Sequence, residues 1–195
     1  TIMMNTATRF WKMHGLGNDF IILDRRDLGD IPPASVRALC DRRLGIGADG
    51  ILAAVASPNQ PFTMRVFNAD GSIADMCGNG VRCFVRWAVD FMGMDRNGTL
   101  TIGSDAGDQH CRLLRQSDGE QWVEVNLGTP KFDGEVSIQV NDRIFNGARL
   151  FLGNPHFVMQ GKAHNNDVAE VGPALSKHAT FPNGTNVEWL DVRSE

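Results

Sequence analysis

Residues 76–93 read MCGNGVRCFVRWAVDFMG and decide the fold, because a glycine-rich turn runs directly into an amphipathic segment. Apolar residues recur at three- and four-residue spacing from Val81 to Met92, which predicts a helix over 79–92. Gly93 is suited to end this helix, since glycine readily adopts the left-handed conformation found after helix C-termini. The turn therefore lies at the N-terminal end of a helix.

Cys77 and Gly78 lie at this predicted N-terminus, where backbone N–H groups have no partners inside the helix. Such N–H groups, together with the helix dipole, favour a thiolate over a thiol and also bind carboxylates. A plain helix-capping role for Cys77 is the simpler interpretation. Cysteine is a weak cap, however, and flanking glycines are a poor way to stabilise a helix start. We therefore predict that Cys77 is a reactive thiolate beside a carboxylate-binding turn.

The composition is that of a globular protein of 195 residues, 42% hydrophobic and 22% charged. A formal net charge of −4 argues against nucleic acid as a partner, and no apolar run is long enough to cross a membrane. Residues 1–9 lack the apolar core of an export signal, so we expect a cytoplasmic protein whose four cysteines are free. The cysteine spacing does not fit a zinc site, and no metal is predicted.

The segment Gly45–Gly50 matches the dinucleotide-binding pattern GxGxxG but stands in the wrong context. That pattern requires a strand before it and a helix after it. Here a predicted helix that opens at Pro32-Pro33 precedes the segment, and an apolar strand at 51–55 follows it. The segment is therefore predicted to be a helix end and a connecting turn. The preceding helix is expected to place four apolar residues on one face: Val36, Leu39, Cys40 and Leu44.

Asparagines recur in polar loops that interrupt apolar strands, at positions 18, 68, 154 and 186. An amide side chain both donates and accepts hydrogen bonds, so converging asparagines are able to recognise an ammonium and a carboxylate together. His156 follows one of these loops, and a histidine near a thiol tunes its ionisation. From the residues alone, a purely structural role remains open for each loop.

Six blocks, in this order, closely resemble the diaminopimelate epimerase family. They are KMHGLGNDF (12–20), GADG (47–50), FNADGS (67–72), MCGNGVRC (76–83), GNPH (153–156) and FPNGTNVE (181–188). The blocks span almost the whole sequence, which makes the resemblance specific.

The resemblance implies an α/β (α+β) fold of two pseudo-symmetric domains, each a curled, mostly antiparallel sheet around a central helix, the second domain being incomplete. The turn Gly128-Thr129-Pro130 predicts a boundary between a domain of residues 1–128 and one of residues 129–195. The implied activity is that of an isomerase that interconverts LL- and meso-diaminopimelate in lysine and peptidoglycan precursor biosynthesis. It uses no cofactor, pyridoxal phosphate included, and its only implied partner is this small-molecule substrate.

Family roles carry over residue by residue. By resemblance, Cys77 matches the first of two catalytic cysteines, and His156 matches a residue that modulates cysteine ionisation. Gly78 and Asn79 match backbone donors to the reacting carboxylate. The substrate-binding asparagines of the family match Asn18, Asn68, Asn154 and Asn186. Gly50 stands where some family members carry a substrate-contacting glutamine, so that contact is lost.

The second catalytic cysteine of the family lies in a Cys-Gly-Thr/Ser-Gly block that these 195 residues do not contain. None of Cys40, Cys83 and Cys111 lies in such a block. We therefore expect the 195-residue polypeptide alone to be inactive or nearly so. The alternatives are a racemase or isomerase of another small amino acid with the same fold, and a non-catalytic ligand-binding fragment. The oligomeric state, a homodimer included, is left open.

Overall fold

A computed structural model describes residues 8–27, 29–117, 120–164 and 167–193. The chain divides into two compact units, Thr1–Leu127 and Gly128–Glu195.

The first unit is an eight-stranded sheet that curls around one helix. The strands are β1 (Phe10–Gly15), β2 (Asn18–Asp24), β3 (Gly50–Val55), β4 (Thr63–Asn68), β5 (Ile73–Ala74), β6 (Thr99–Ser104), β7 (Gly107–Ser117) and β8 (Glu120–Asn126). Their order is β1-β2-β3-β4-β6-β7-β8, with the short β5 beside β4. The β2–β3 and β4–β6 pairs are parallel and the others antiparallel.

The central helix of this unit is α2 (Gly78–Met92), which follows α1 (Pro33–Cys40) along the chain. It contacts both end strands, β1 and β8, as well as strands between them, so the sheet must curl around it. The helix ends at Gly93, whose φ of 72° is left-handed. The helix predicted over 79–92 is thus confirmed. Its buried face carries Val81, Cys83, Phe84, Val85, Trp87, Ala88 and Val89.

Helix α1 is shorter than predicted. Pro33 occupies its first turn, where a missing N–H costs nothing, and the chain leaves helical geometry at Asp41. The Asp41 carboxylate accepts hydrogen bonds from the N–H groups of Arg43 and Leu44, both at 2.7 Å, which turns the chain outward. Leu44 is 93% exposed, so its expected place on the buried face was wrong. The segment Gly45–Gly50 joins α1 to β3, which confirms the predicted connecting turn.

The second unit is a four-stranded sheet with two short helices. Its elements are β9 (Lys131–Val140), β10 (Arg143–Phe151), β11 (Pro155–Gln160), α3 (Asp167–Glu170), α4 (Gly172–Ser176) and β12 (Asn186–Leu190). The strand order is β12-β11-β10-β9, and only the β11–β12 pair is parallel. A small core packs the sheet against α4 through Ile138, Phe145, Phe157, Met159, Val171, Leu175 and Phe181.

The mixed α+β class with a curled sheet confirms the expected fold class. Within the described residues, no helix is long and apolar enough to span a membrane.

Candidate active site

Cys77 is the residue that caps the N-terminus of α2. Its backbone is extended, with φ −143° and ψ 111°, and its Sγ accepts a hydrogen bond from the Gly80 N–H at 3.4 Å. The capping role and the reactive role are therefore compatible, because the contact that caps the helix also holds the sulfur at the N-terminal end of α2, where backbone N–H groups attract negative charge.

Glycine at position 80 allows this close contact. A Cβ there would lie 2.9 Å from Leu52 Cδ2, so the buried Leu52 side chain would have to shift, whereas the distance of 3.5 Å from this Cβ to Cys77 Sγ is an ordinary van der Waals contact. At Gly78, in contrast, a Cβ would come no closer than 3.8 Å, to Leu127 Cδ1. The requirement for glycine beside Cys77 is thus steric at position 80.

The other predicted residues of the first unit lie at one end of the curled sheet. Asn18 begins β2, and Phe20 of that strand pairs with Gly50, which in turn pairs with Asn68 at the end of β4. The β1–β2 turn packs on the first turn of α2, since a Cβ at Gly15 would lie 3.1 Å from the Asn79 carbonyl oxygen. The sheet therefore brings Asn18 and Asn68 to the end at which α2 begins.

The side chains of two predicted asparagines also have structural partners. Asn68 Nδ2 donates to Ser72 Oγ at 2.9 Å, within its own loop. Asn79 Oδ1 accepts from the Arg82 guanidinium one helical turn later. Arg82 therefore adds a positive charge beside the helix start, a feature that sequence reasoning missed although the spacing of three residues on a helix indicates such a contact.

A charged network holds the strand that carries Asn18. The Asp19 carboxylate lies 2.5 Å from Lys12 Nζ and 2.7 Å from Arg42 Nη2, and Arg42 also pairs with Asp49 at 2.7 Å. The hydrogen bond from the Arg42 guanidinium, supported by Lys12, holds the pKa of Asp19 well below its usual range. The network therefore ties β1 and β2 to the segment that precedes β3.

We expect Asp19→Asn to lower the free energy of unfolding at pH 7 by about 1–3 kcal/mol, because a charged hydrogen-bond acceptor is lost. The folded-state pKa of Asp19 lies below an unfolded value of about 3.9, so its stabilising effect is present above about pH 4 and is lost as the pH falls further. Urea unfolding of both proteins at pH 7 and at lower pH measures the difference. A difference that is the same at every pH contradicts this electrostatic origin.

In the second unit, β11 and β12 hold His156 and Asn186 side by side. The two residues are paired in register, on the face opposite to the buried Phe157 and Met159. Asn186 Nδ2 donates to the Pro155 carbonyl oxygen at 3.2 Å.

The predicted Asn154 lies in the turn before β11, where its carbonyl oxygen accepts from the Leu152 N–H at 3.0 Å. Next to the turn, His156 lines a cleft of about 580 Å³ within this unit, together with Arg149, Phe151 and Phe181. Lys131 and Asp133 line it as well, and Asp133 pairs with Arg149 at 3.3 Å, so the cleft combines apolar walls with charges of both signs and an imidazole ring.

Glu188 is the residue of this unit that sequence reasoning missed. Its Oε1 lies 2.7 Å from His156 Nδ1, and the two residues form an ion pair when the imidazole is protonated. The alternation of residues along a strand places Glu188 on the same face as Asn186, but its partner is defined only by the pairing with β11.

The other three thiols are buried. Burial raises the pKa of Cys83 and of Cys111 to about 11 and raises the pKa of Cys40 as well. They behave as small hydrophobic core residues, as predicted, and Cys77 alone among the four is partly exposed. In the part of the chain that the structure describes, no cluster of His, Cys, Asp and Glu is arranged to hold a metal ion.

Solved structures give the class of protein to which the fold belongs. A hydroxyproline epimerase from Agrobacterium vitis, with bound trans-4-hydroxy-L-proline, matches with a TM-score of 0.70 and 9% identity over 90% of this chain. A probable proline racemase from Agrobacterium radiobacter K84 matches with a TM-score of 0.68 and 11% identity over 91% of this chain. The chain spans 60% of the length of each. The chain thus shares the fold of these two proteins, an epimerase and a probable racemase.

Sequence comparison identifies the family within this class. The family model described as diaminopimelate epimerase matches residues 10–132. The diaminopimelate epimerase of Moorella thermoacetica is 36% identical over 200 residues, which cover 94% of this chain and 71% of that protein. The chain therefore belongs to the diaminopimelate epimerase family and is an isomerase of the epimerase type. The resemblance that the six sequence blocks predicted is confirmed.

Proposed function

We propose that this protein interconverts LL- and meso-diaminopimelate, in lysine and peptidoglycan precursor biosynthesis, with Cys77 as one of two thiol acid/base groups. Family membership supports the reaction and the substrate. The observation that carries the role of Cys77 is its position as the cap of α2, with Sγ 3.4 Å from the Gly80 N–H. This is a thiol at a site that stabilises negative charge.

The chemistry proceeds by proton transfer on opposite faces of the α-carbon. The Cys77 thiolate takes the α-proton, so that the C–H bond breaks, an S–H bond forms and the electron pair moves into the substrate carboxylate. A thiol on the opposite face then returns a proton to carbon with inverted configuration. The backbone N–H groups of Gly78 and Asn79 bind the carboxylate, whose negative charge grows during the first step.

The contacts of Lys12 support a reaction without pyridoxal phosphate. That cofactor is held as a Schiff base by a lysine. Lys12 is the one lysine of residues 1–127, and its Nζ is engaged by the Asp19 carboxylate and the Gly47 carbonyl oxygen. In place of that cofactor, the backbone N–H groups at the start of α2 stabilise the negative charge that develops on the substrate.

The four thiols support two further parts of the proposal. All four are free, which suits the reducing environment of the cytoplasm. Cys40, Cys83 and Cys111 are buried in cores and so do not suit the role of the opposite acid. The opposite thiol must then come from outside these 195 residues, and we propose that the 195-residue polypeptide alone does not epimerise its substrate.

Alkylation of Cys77 tests the proposed site independently of a second thiol. We expect iodoacetamide at neutral pH to modify Cys77 well before the three buried cysteines, since the thiolate is the nucleophile. Diaminopimelate is expected to slow this modification at least tenfold at saturation, whereas L-lysine, which lacks the distal carboxylate, is expected to give little protection. Peptide mass spectrometry over time measures both rates.

Two control variants make this test more specific, and three possible outcomes would change the proposal. Asn18→Ala and Asn68→Ala should weaken the protection by diaminopimelate without slowing alkylation of the free protein. Protection by another amino acid in place of diaminopimelate would favour a racemase of that amino acid. Protection by diaminopimelate together with full epimerisation by this polypeptide would refute the need for an outside thiol. A Cys77 that stays unmodified across neutral pH contradicts the proposed thiolate.

A further inference from the structure

His156 and Glu188 form a close side-chain pair at a partly exposed position. Glu188 Oε1 lies 2.7 Å from His156 Nδ1, while His156 Nε2 is buried and has no hydrogen-bond partner within the described ranges. A buried ring nitrogen without a partner is costly, so native structures keep such atoms for a reason. One nitrogen of the ring is therefore fixed by the carboxylate, whereas the other nitrogen and the second carboxylate oxygen, Glu188 Oε2, are buried without a partner among the described residues.

The chemistry of the two groups determines which nitrogen carries the proton. An ionised carboxylate only accepts hydrogen bonds, so the close contact requires a proton on His156 Nδ1. In the neutral imidazole, Nε2 then holds a lone pair and is a proton acceptor. Glu188 thus selects one of the two tautomers of His156.

The cations near Glu188 pair with a different carboxylate. Lys162 Nζ and Arg193 Nε both lie near Asp191, at 3.8 Å and 3.5 Å, and these three residues line the same surface as Glu188. Lys162 and Arg193, the cations at the end of β12, thus pair with the Asp191 carboxylate. The neighbouring amide of Asn186 is directed to the Pro155 carbonyl oxygen.

We propose that Glu188 is a positioning residue that holds His156 as the Nδ1–H tautomer, so that Nε2 is the proton-accepting atom of the ring. This inference rests on the proposed function, to which the family resemblance adds His156 as a residue that modulates cysteine ionisation.

Nitrogen-15 NMR of the histidine rings in the 195-residue protein tests the tautomer directly. We expect His156 to show a protonated Nδ1 and a bare Nε2 at a pH where the ring is neutral. His178 serves as an internal reference of the opposite kind, because its Nδ1 accepts the Thr180 N–H at 3.2 Å and its proton must lie on Nε2. The His156→Gln variant assigns the signals.

Variants then test whether Glu188 is the cause. Glu188→Gln should abolish the uniform Nδ1–H state, because an amide can also donate to Nδ1 and favour the other tautomer, whereas Glu188→Asp should partly restore it. Glu135→Gln is the matched control, since it makes the same charge change at an exposed position on β9, at the opposite edge of the sheet. It should leave the His156 signals unchanged.

The NMR results test the proposal about Glu188 independently of the proposed function. An Nε2–H tautomer in the wild-type protein, which needs no variant to fold, overturns the proposal, as does a Glu188→Gln spectrum identical to the wild-type one. The spectra require no substrate. A failure of diaminopimelate to protect Cys77 would therefore overturn the proposed substrate while leaving the tautomer result standing.

Discussion

Replacing Cys77 with alanine is expected to lower the rate at which the α-proton of diaminopimelate exchanges with deuterated water by about 10²–10⁴-fold, the usual contribution of a general base. The wild-type 195-residue chain is expected to exchange this proton slowly and without inversion. Its one partly exposed thiol can take the proton, exchange it with solvent and return a deuteron to the same face. Proton NMR of the substrate measures the loss of the α-proton signal, and chiral chromatography measures the isomer composition.

Cys77→Ser separates the two roles that the structure gives this residue. A serine hydroxyl is a good helix cap, so the variant should keep the start of α2 and the fold. It should still lose the exchange activity, because a hydroxyl is far less acidic than a thiol and provides no anion at neutral pH. Exchange that survives in Cys77→Ala would identify a different base. Complete inversion by the wild-type chain would mean that a second acid lies among these 195 residues.

The parts of this site that sequence could predict are the local ones. The helix after Cys77 and its end at Gly93 follow from the spacing of apolar residues and from glycine, both of which act within a few residues. The turn at Gly45–Gly50 was recognisable from its neighbours in the same way. The error at Leu44 has a local cause too, since two hydrogen bonds from one aspartate carboxylate ended the helix early.

The parts that sequence could not predict depend on pairing between distant segments. Glu188 contacts His156 only because β12 pairs with β11 after the long connection through residues 161–185. Gly50 is a second example. A Cβ there would lie 2.5 Å from the Phe67 carbonyl oxygen, so the register of β3 with β4 leaves no room for a side chain at this position. Periodicity gives the face of a strand but not the neighbour across it.

The stability of the first unit is expected to depend most strongly on Trp87, the largest side chain on the buried face of α2. Its ring is fully buried, with ring-centroid distances of 5.5 Å to Trp11, 5.5 Å to Phe62 and 5.0 Å to Phe84. Trp87→Ala should lower the free energy of unfolding by about 3–5 kcal/mol, because it removes these contacts and leaves a cavity. That is a large part of the roughly 5–15 kcal/mol typical of a folded protein.

Urea unfolding followed by circular dichroism measures this loss, and labelling of the buried Cys83 and Cys111, which belong to the same core, reports it independently as faster modification. Trp87→Phe is the matched control. It keeps an aromatic ring and removes an indole N–H that is buried without a hydrogen-bond partner among the described residues, so it should cost less than about 1.5 kcal/mol. If alanine costs no more than phenylalanine, the aromatic cluster is not what holds α2 against the sheet. The position of Cys77 at the helix start must then depend on the contacts of the first turn, such as the hydrogen bond from the Gly80 N–H to Cys77 Sγ.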